Sequence, residues 1–193
     1  IAASLDTEQA LDAIKIQTRE WNFRIQVQAL SQSIDSDSLA CGLTAIADAT
    51  IATLLDLVQT DMRRRHGNID GSVSLVALGR LGSGMMTVTS DLDLLVLFDA
   101  ADGLMSDGAK PLGATAYFTR LAQTLTSWLG TPTAEGVLYA VDLRLRPEGE
   151  AGGIATSLTR FTTYFATDAW LWEKLALTKA RPVAGDKAFR TAI

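Results

Sequence analysis

With 193 residues, 48% of them hydrophobic, the chain is long enough to bury one sizeable core with a smaller appendage. A net charge of −5 argues against wholesale binding to nucleic acid, although local basic clusters can still hold a phosphorylated ligand. One cysteine excludes an internal disulfide framework and suits a reducing cytoplasm.

The longest apolar stretches read as strand-length, so no membrane span is expected, and the opening residues lack the basic and apolar regions of a signal peptide. The chain starts without Met and stops in what reads as an interrupted helix, as expected of a piece of a longer protein.

Residues 1–70 read as a helical segment. Ser4, Asp6 or Thr7 is placed to cap a first helix in which Leu11, Ile14, Trp21 and Ile25 fall at helical spacing. After the polar stretch SQSIDSDS, a second helix carries Leu43, Ile46, Ala47, Ile51, Leu54, Val58 and Met62 in one broad apolar stripe. Cys41 is expected to be a small core residue of that helix. Arg63, Arg64 and Arg65 suit its C-terminus, as a solvated helix end, and Gly67 suits its stop. His66 is the only histidine, which excludes a metal site built from several imidazoles.

Residues 71–156 change period. SVSLVAL and LDLLVLF read as strands joined by the loop GRLGSGMMTVTS. A helix follows in which Phe118, Leu121, Ala122, Leu125, Trp128 and Leu129 share a face, ended by Gly130 and Pro132. Then GVLYAVDLRLRP alternates, with Val141, Leu143 and Leu145 on one side and Asp142, Arg144 and Arg146 on the other. In residues 157–193, Ser157 is expected to cap helical sequence running through FTTYFATDAWLWEKLALTKA. The predicted class is α+β: a small mixed sheet flanked by N-terminal and C-terminal helices.

Chemistry concentrates in residues 76–99, VALGRLGSGMMTVTSDLDLLVLFD. Asp91 and Asp93 stand on the same face of a strand, roughly 6–7 Å apart at Cα. Two carboxylates that close repel one another, and a divalent cation with oxygen ligands reverses that balance. Asp142 lies on the polar side of a later strand. If the two strands are neighbours, three carboxylates converge, an arrangement able to hold two ions roughly 4 Å apart for displacement at phosphorus. Gly79, Gly82 and Gly84 permit close backbone approach, so loop amides are candidates to cradle a phosphate. Asp91 as a cap and Asp93 as an exposed edge residue is the plain structural alternative. Arg144 and Arg146 serve either to neutralise a polyphosphate or as salt-bridge partners of the acidic cluster, and spacing does not separate the two.

Gly-Ser followed by Asp-x-Asp, with a third Asp on a later strand, resembles the DNA polymerase beta-type nucleotidyltransferase superfamily. Together with GVLYAVDLRLRPEGEAGGIATSL and AWLWEKLALTKARPVAGD, the pattern resembles the glutamine synthetase (glutamate-ammonia-ligase) adenylyltransferases across residues 72–186. The segment AWLWEKLALTKAR looks like the C-terminal, adenylylating half of that family.

The resemblance implies a sheet of the nucleotidyltransferase type, ATP as substrate, Mg2+ (two ions) as cofactor and a tyrosine of glutamine synthetase as acceptor. It also implies control by a PII-type signal protein through the full-length enzyme, with neither nucleic acid nor membrane as partner. Residue by residue, Asp91 and Asp93 match the metal-binding pair and Asp142 the third carboxylate, also read as helping to activate the tyrosine hydroxyl. Gly82 and Ser83 match the nucleotide-phosphate turn, while Arg144 and Arg146 fall in the family's D-x-R-L-R-P stretch. Met85 stands where the family often has an acidic residue. The alternatives are the homologous adenylyl-removing domain, which phosphorolyses AMP-tyrosine to ADP, and an inactive regulatory docking module. A small-molecule nucleotidyltransferase is disfavoured by the downstream motifs.

Overall fold

The computed structural model describes residues 7–130, 137–147 and 153–193, so the capping roles of Ser4 and Asp6 and the stop at Pro132 lie outside the described residues. Helices α1 (Thr7–Leu30) and α2 (Ser36–His66) form an antiparallel pair, with Thr18 Oγ1 2.9 Å from Thr50 Oγ1 and Ile25 lying over Gly42. Asp35 caps α2 by accepting from the Ser38 amide at 2.8 Å, and Gly67, at φ +81°, closes its far end. Arg64 and Arg65 both pair with Asp61, at 2.7 and 2.8 Å, while remaining largely exposed. The basic run is therefore a helix end with its own counter-ion.

Leu43, Ala47, Ile51, Leu54, Val58 and Met62 of α2 are buried, and Ile46 is half-buried. One expectation fails here. Cys41 is exposed, because it falls outside the arc of α2 that carries Leu43, Ala47 and Ile51 into the core. In α1, Leu11, Ile14 and Ile25 pack against the core and Trp21 is half-exposed. Contrary to the expectation of strand-length apolar runs, α2 is long and apolar enough to cross a membrane by length and composition alone. In this fold, its stripe forms the floor beneath the sheet.

Strand β1 (Gly71–Ala77) pairs antiparallel with β2 (Leu92–Ala100), joined through the short helix α3 (Gly79–Gly82). On the other side of β2 run two short parallel strands, β3 (Val141–Asp142) and then β4 (Ala155–Ser157). Strand β5 (Arg181–Gly185) pairs antiparallel with the free side of β1, giving the order β3-β2-β1-β5 with β4 also on β2. Helix α4 (Ala114–Gly130) and α2 bury one sheet face around Val73, Leu75, Leu94, Val96, Phe98 and Phe118. The opposite face has a thinner cover over Val76, Leu78, Leu95 and Leu97, from α5 (Leu158–Thr167), α6 (Leu171–Ala176), the 3-10 turn at Leu177–Lys179 and α7 (Lys187–Ala192). The architecture is α+β with a small mixed five-stranded sheet, and burial of β1 and β2 on both faces explains their nearly continuous apolar runs.

Three departures have local causes. The alternating run around Asp142 is a strand for only two residues, because the Asp142 carboxylate captures the Arg144 amide at 2.8 Å and turns the chain out of the ladder. The C-terminal helix breaks in two: Tyr164 O accepts from the Asp168 and Ala169 amides, and buried Glu173 then caps the Trp170 amide at 2.8 Å. Strand β5 occupies sequence with no strand pattern. It is short, contains Pro182, and sits at an edge, where a missing N–H is tolerated. Ser157 does cap α5, accepting from the Arg160 amide at 3.3 Å.

Candidate active site

Along β2, Leu92, Leu94, Val96 and Phe98 face α2 and α4, so Asp93, Leu95 and Leu97 face the thinner layer. Near the start of β2 that layer stops short, and the position is open enough for a carboxylate. Asp93 is half-buried there, and Asp91, two residues earlier with the same parity, is exposed. Parallel pairing sets Asp93 directly beside Asp142 of β3. Asp93 and Asp142 are thus neighbours in register, from residues 49 apart in the chain (142 − 93).

The two carboxyls have opposite electrostatics. Burial, then the charges of Asp142 and Asp91, push the Asp93 pKa up, against a weaker pull from Arg144. Hydrogen bonds from Arg144 hold Asp142 below the ordinary carboxylate value despite some burial. Arg144 donates from its amide to Oδ1 and from Nε to Oδ2, both at 2.8 Å. Its side chain is otherwise 79% exposed. Of the two readings left open for the arginines, the salt-bridge role is present in Arg144. Arg146 is turned back on its own loop, donating from Nη1 to Leu143 O at 2.6 Å.

The glycine turn is built against the acidic pair. Gly79 has φ +54°, and a Cβ there would lie 2.0 Å from Asp93 Oδ2, so only glycine lets the backbone lie over that carboxylate. Gly82 is buried, with the carbonyls of Lys179 and Ala77 where a side chain would go. The amides of Gly82, Ser83, Gly84 and Met85 donate to carbonyls of Leu78, Gly79, Leu81 and Arg80, so they are spent within the turn. Ser83 is exposed, its hydroxyl donating to Arg80 O at 3.2 Å. Met85 is exposed, while Met86 is buried with its amide donating to Thr44 Oγ1.

One residue that holds this turn gave no sequence signal. Arg181, opening β5, makes a two-pronged pair with Asp48 of α2 at 2.8 and 3.1 Å. It also donates to the carbonyls of Leu81 and Gly82, at 2.9 and 3.3 Å. Its partners lie 99 to 133 residues away, beyond the reach of any local pattern.

Two clefts meet at Asp93. One, of about 400 Å³, is lined by Gly79, Asp93, Asp142, Arg144, Leu145 and Trp172, among others. The other, of about 300 Å³, is lined by Arg80, Thr87, Thr89, Ser90, Asp91 and Asp93. Gly82, Ser83 and Arg146 line neither.

Among the described residues, no group of three His, Cys, Asp or Glu side chains is arranged to hold a metal ion. Asp142 faces Arg144 and Asp91 faces the second cleft, so the backbone gathers the carboxylates without turning them onto one point. The donor chemistry nonetheless fits a hard cation, being all carboxylate oxygen, with burial and then mutual repulsion raising the Asp93 pKa.

The family model for glutamate-ammonia ligase adenylyltransferase matches residues 1–193. The bifunctional glutamine synthetase adenylyltransferase/adenylyl-removing enzyme of Brucella suis biovar 1 (strain 1330) is 42% identical over 191 residues, 98% of this chain and 19% of the relative. The protein of the same description from Rhizobium meliloti (strain 1021) is 45% identical over 183 residues, 94% of this chain and 19% of the relative. That from Mesorhizobium japonicum (strain LMG 29417 / CECT 9101 / MAFF 303099) is 45% identical over 181 residues, 93% and 18% respectively. The chain therefore spans 18 to 19% of the length of these curated relatives. Matched along its whole length, the chain belongs to the glutamate-ammonia ligase adenylyltransferase family.

Proposed function

We propose that this chain is an adenylylating unit, transferring AMP from ATP to a tyrosine of glutamine synthetase and releasing pyrophosphate. The observation that carries nucleotidyl transfer is the register of Asp93 with Asp142 on adjacent parallel strands, under a glycine turn packed on Asp93, and the adenylylating direction rests on the resemblance of AWLWEKLALTKAR to that half of the family. The tyrosyl oxygen bonds to the α-phosphorus as the bond to the bridging oxygen of pyrophosphate breaks, and the tyrosine proton passes to the carboxylate pair. Arg144 keeps Asp142 ionised, and on swinging to a phosphate oxygen it would exchange one anion for another. Gly79 opens the cleft to the phosphates, with Ser83 and Gly82 shaping the turn; Arg146, outside the cleft lining, supports the loop that carries Arg144.

Asp91, Asp93 and Asp142 are the residues that would hold Mg2+, two ions in this reading, which when bound supplies positive charge to the phosphate oxygens. Glutamine synthetase is the target in the relatives' names, and we extend that to this chain. Control by a PII-type signal protein through the full-length enzyme, and a cytoplasmic location, follow from the same reading.

The relatives' names carry both directions of the chemistry, so phosphorolytic removal of AMP, yielding ADP, is the second reading. The test incubates the chain and Mg2+ with glutamine synthetase plus labelled ATP and, separately, with AMP-glutamine synthetase plus phosphate. The expected result is AMP incorporation, reduced at least about a hundredfold in Asp93→Asn, a loss of at least about 2.7 kcal/mol of transition-state stabilisation. ADP release without incorporation reverses the direction, and activity in neither assay favours a regulatory docking module.

A further inference from the structure

The cleft containing Asp93 and Asp142 is not charged throughout. Its lining also includes Trp172 and Ala176, one turn apart on α6, together with Leu145. Trp172 is 60% exposed, in an apolar patch with the exposed Trp170, Leu171 and Leu175. Glu173 is buried beneath α6, capping the Trp170 amide and accepting from Tyr164 Oη at 3.0 and 3.1 Å. An aromatic ring lining an open cleft, on a helix tied to α5 through Glu173, is arranged as a surface for a flat ligand. Trp170 is even more exposed but does not line the cleft, so exposure alone does not distinguish Trp172.

The rest of the lining determines which flat ligand fits. Carboxylates and Arg144 suit a phosphate chain with its counter-cations, and an aromatic ring with apolar neighbours suits a nucleobase. A nucleotide has both parts joined through a sugar. We propose that Trp172 is the stacking platform for the purine base of the nucleotide, with Ala176 and Leu145 as the walls of the base subsite. This deepens the adenylyl-transfer reading and rests on it. Stacking on a tryptophan face is tolerant of base identity, so the subsite supplies affinity and orientation for the α-phosphorus and discriminates weakly among purines.

The experiment is calorimetric titration of the chain, in Mg2+, with ATP and with inorganic tripolyphosphate, for wild type, Trp172→Ala, Trp172→Phe and Trp170→Ala. Trp172→Ala is expected to bind ATP about tenfold more weakly, about 1.4 kcal/mol, with tripolyphosphate affinity unchanged. Trp172→Phe keeps a ring and should stay within about threefold of wild type, while Trp170→Ala should match wild type. Unchanged ATP affinity in Trp172→Ala overturns the base subsite alone, as does an equal loss for ATP and tripolyphosphate. Failure of the wild type to bind ATP at all overturns the adenylyl-transfer reading and the subsite with it.

Discussion

Asp93 is the one side chain of β2 on which burial, charge repulsion and backbone packing all converge. An acid whose folded pKa is raised keeps a proton that the unfolded chain has already released. As pH rises between the unfolded and folded values, folding becomes less favourable, and the whole cost is present above the folded value. Asp142 has the opposite sign: Arg144 lowers its pKa, so it stabilises above the unfolded value and that contribution is lost as pH falls through the folded one. In chelator at neutral pH, Asp93→Asn is therefore expected to raise the melting temperature by roughly 1–2 °C, a small gain because solvent screens a half-exposed site. The gain should disappear below the ordinary carboxylate range, where wild-type Asp93 is itself neutral. A shift of the same size at every pH would assign it to packing instead. Gly79→Ala tests the other side of the same contact. Its Cβ would collide with Asp93 Oδ2 at a positive φ, and a loss of about 1–3 kcal/mol, or roughly 2–10 °C in melting temperature, is expected. An unshifted melting curve would show that the turn relaxes freely.

Between elements, the decisive link is Arg181. Its guanidinium joins β5 to Asp48 of α2 and to two carbonyls of the glycine turn, so a single side chain sets the height of that turn over the carboxylates. Arg181→Ala removes the fork and leaves the Leu81 and Gly82 carbonyls to find other donors. A stability loss of about 1–3 kcal/mol is expected, moderated by the partial exposure of the pair. Arg181→Lys keeps the charge but not the planar fork, and should recover less than half of the loss. A thermal-melt double-mutant cycle with Asp48→Asn should give a coupling of at least about 0.5 kcal/mol. Additive losses would show that Arg181 acts through the carbonyls alone. Local pairing of this kind also explains the strand that ended early: the Asp142 side chain took the Arg144 amide that a ladder would have used. Periodicity describes which face a residue prefers and carries no information about a side chain competing for the backbone.

At the scale of the molecule, the β1–β2 pair is buried on both faces, with α2 and α4 beneath and the thinner C-terminal layer above. Native-state hydrogen exchange should accordingly be slowest in residues 73–77 and 94–98 and in the middle of α2, and much faster in α6, which buries little apolar surface. Protection of α6 equal to that of β2 would contradict this layering. The α+β class, the two N-terminal helices, α4 and the β1–loop–β2 unit were readable from the sequence. Each rests on spacing between near neighbours, and hydrophobic period and strand parity are local properties. The register of Asp142 against Asp93, the grip of Arg181 on the glycine turn, the exposure of Cys41 and the place of Trp172 in the cleft were decided by the tertiary structure. They depend on which distant segments meet, and the free energy that brings those segments together comes from burial of the whole core, which no short window of residues encodes.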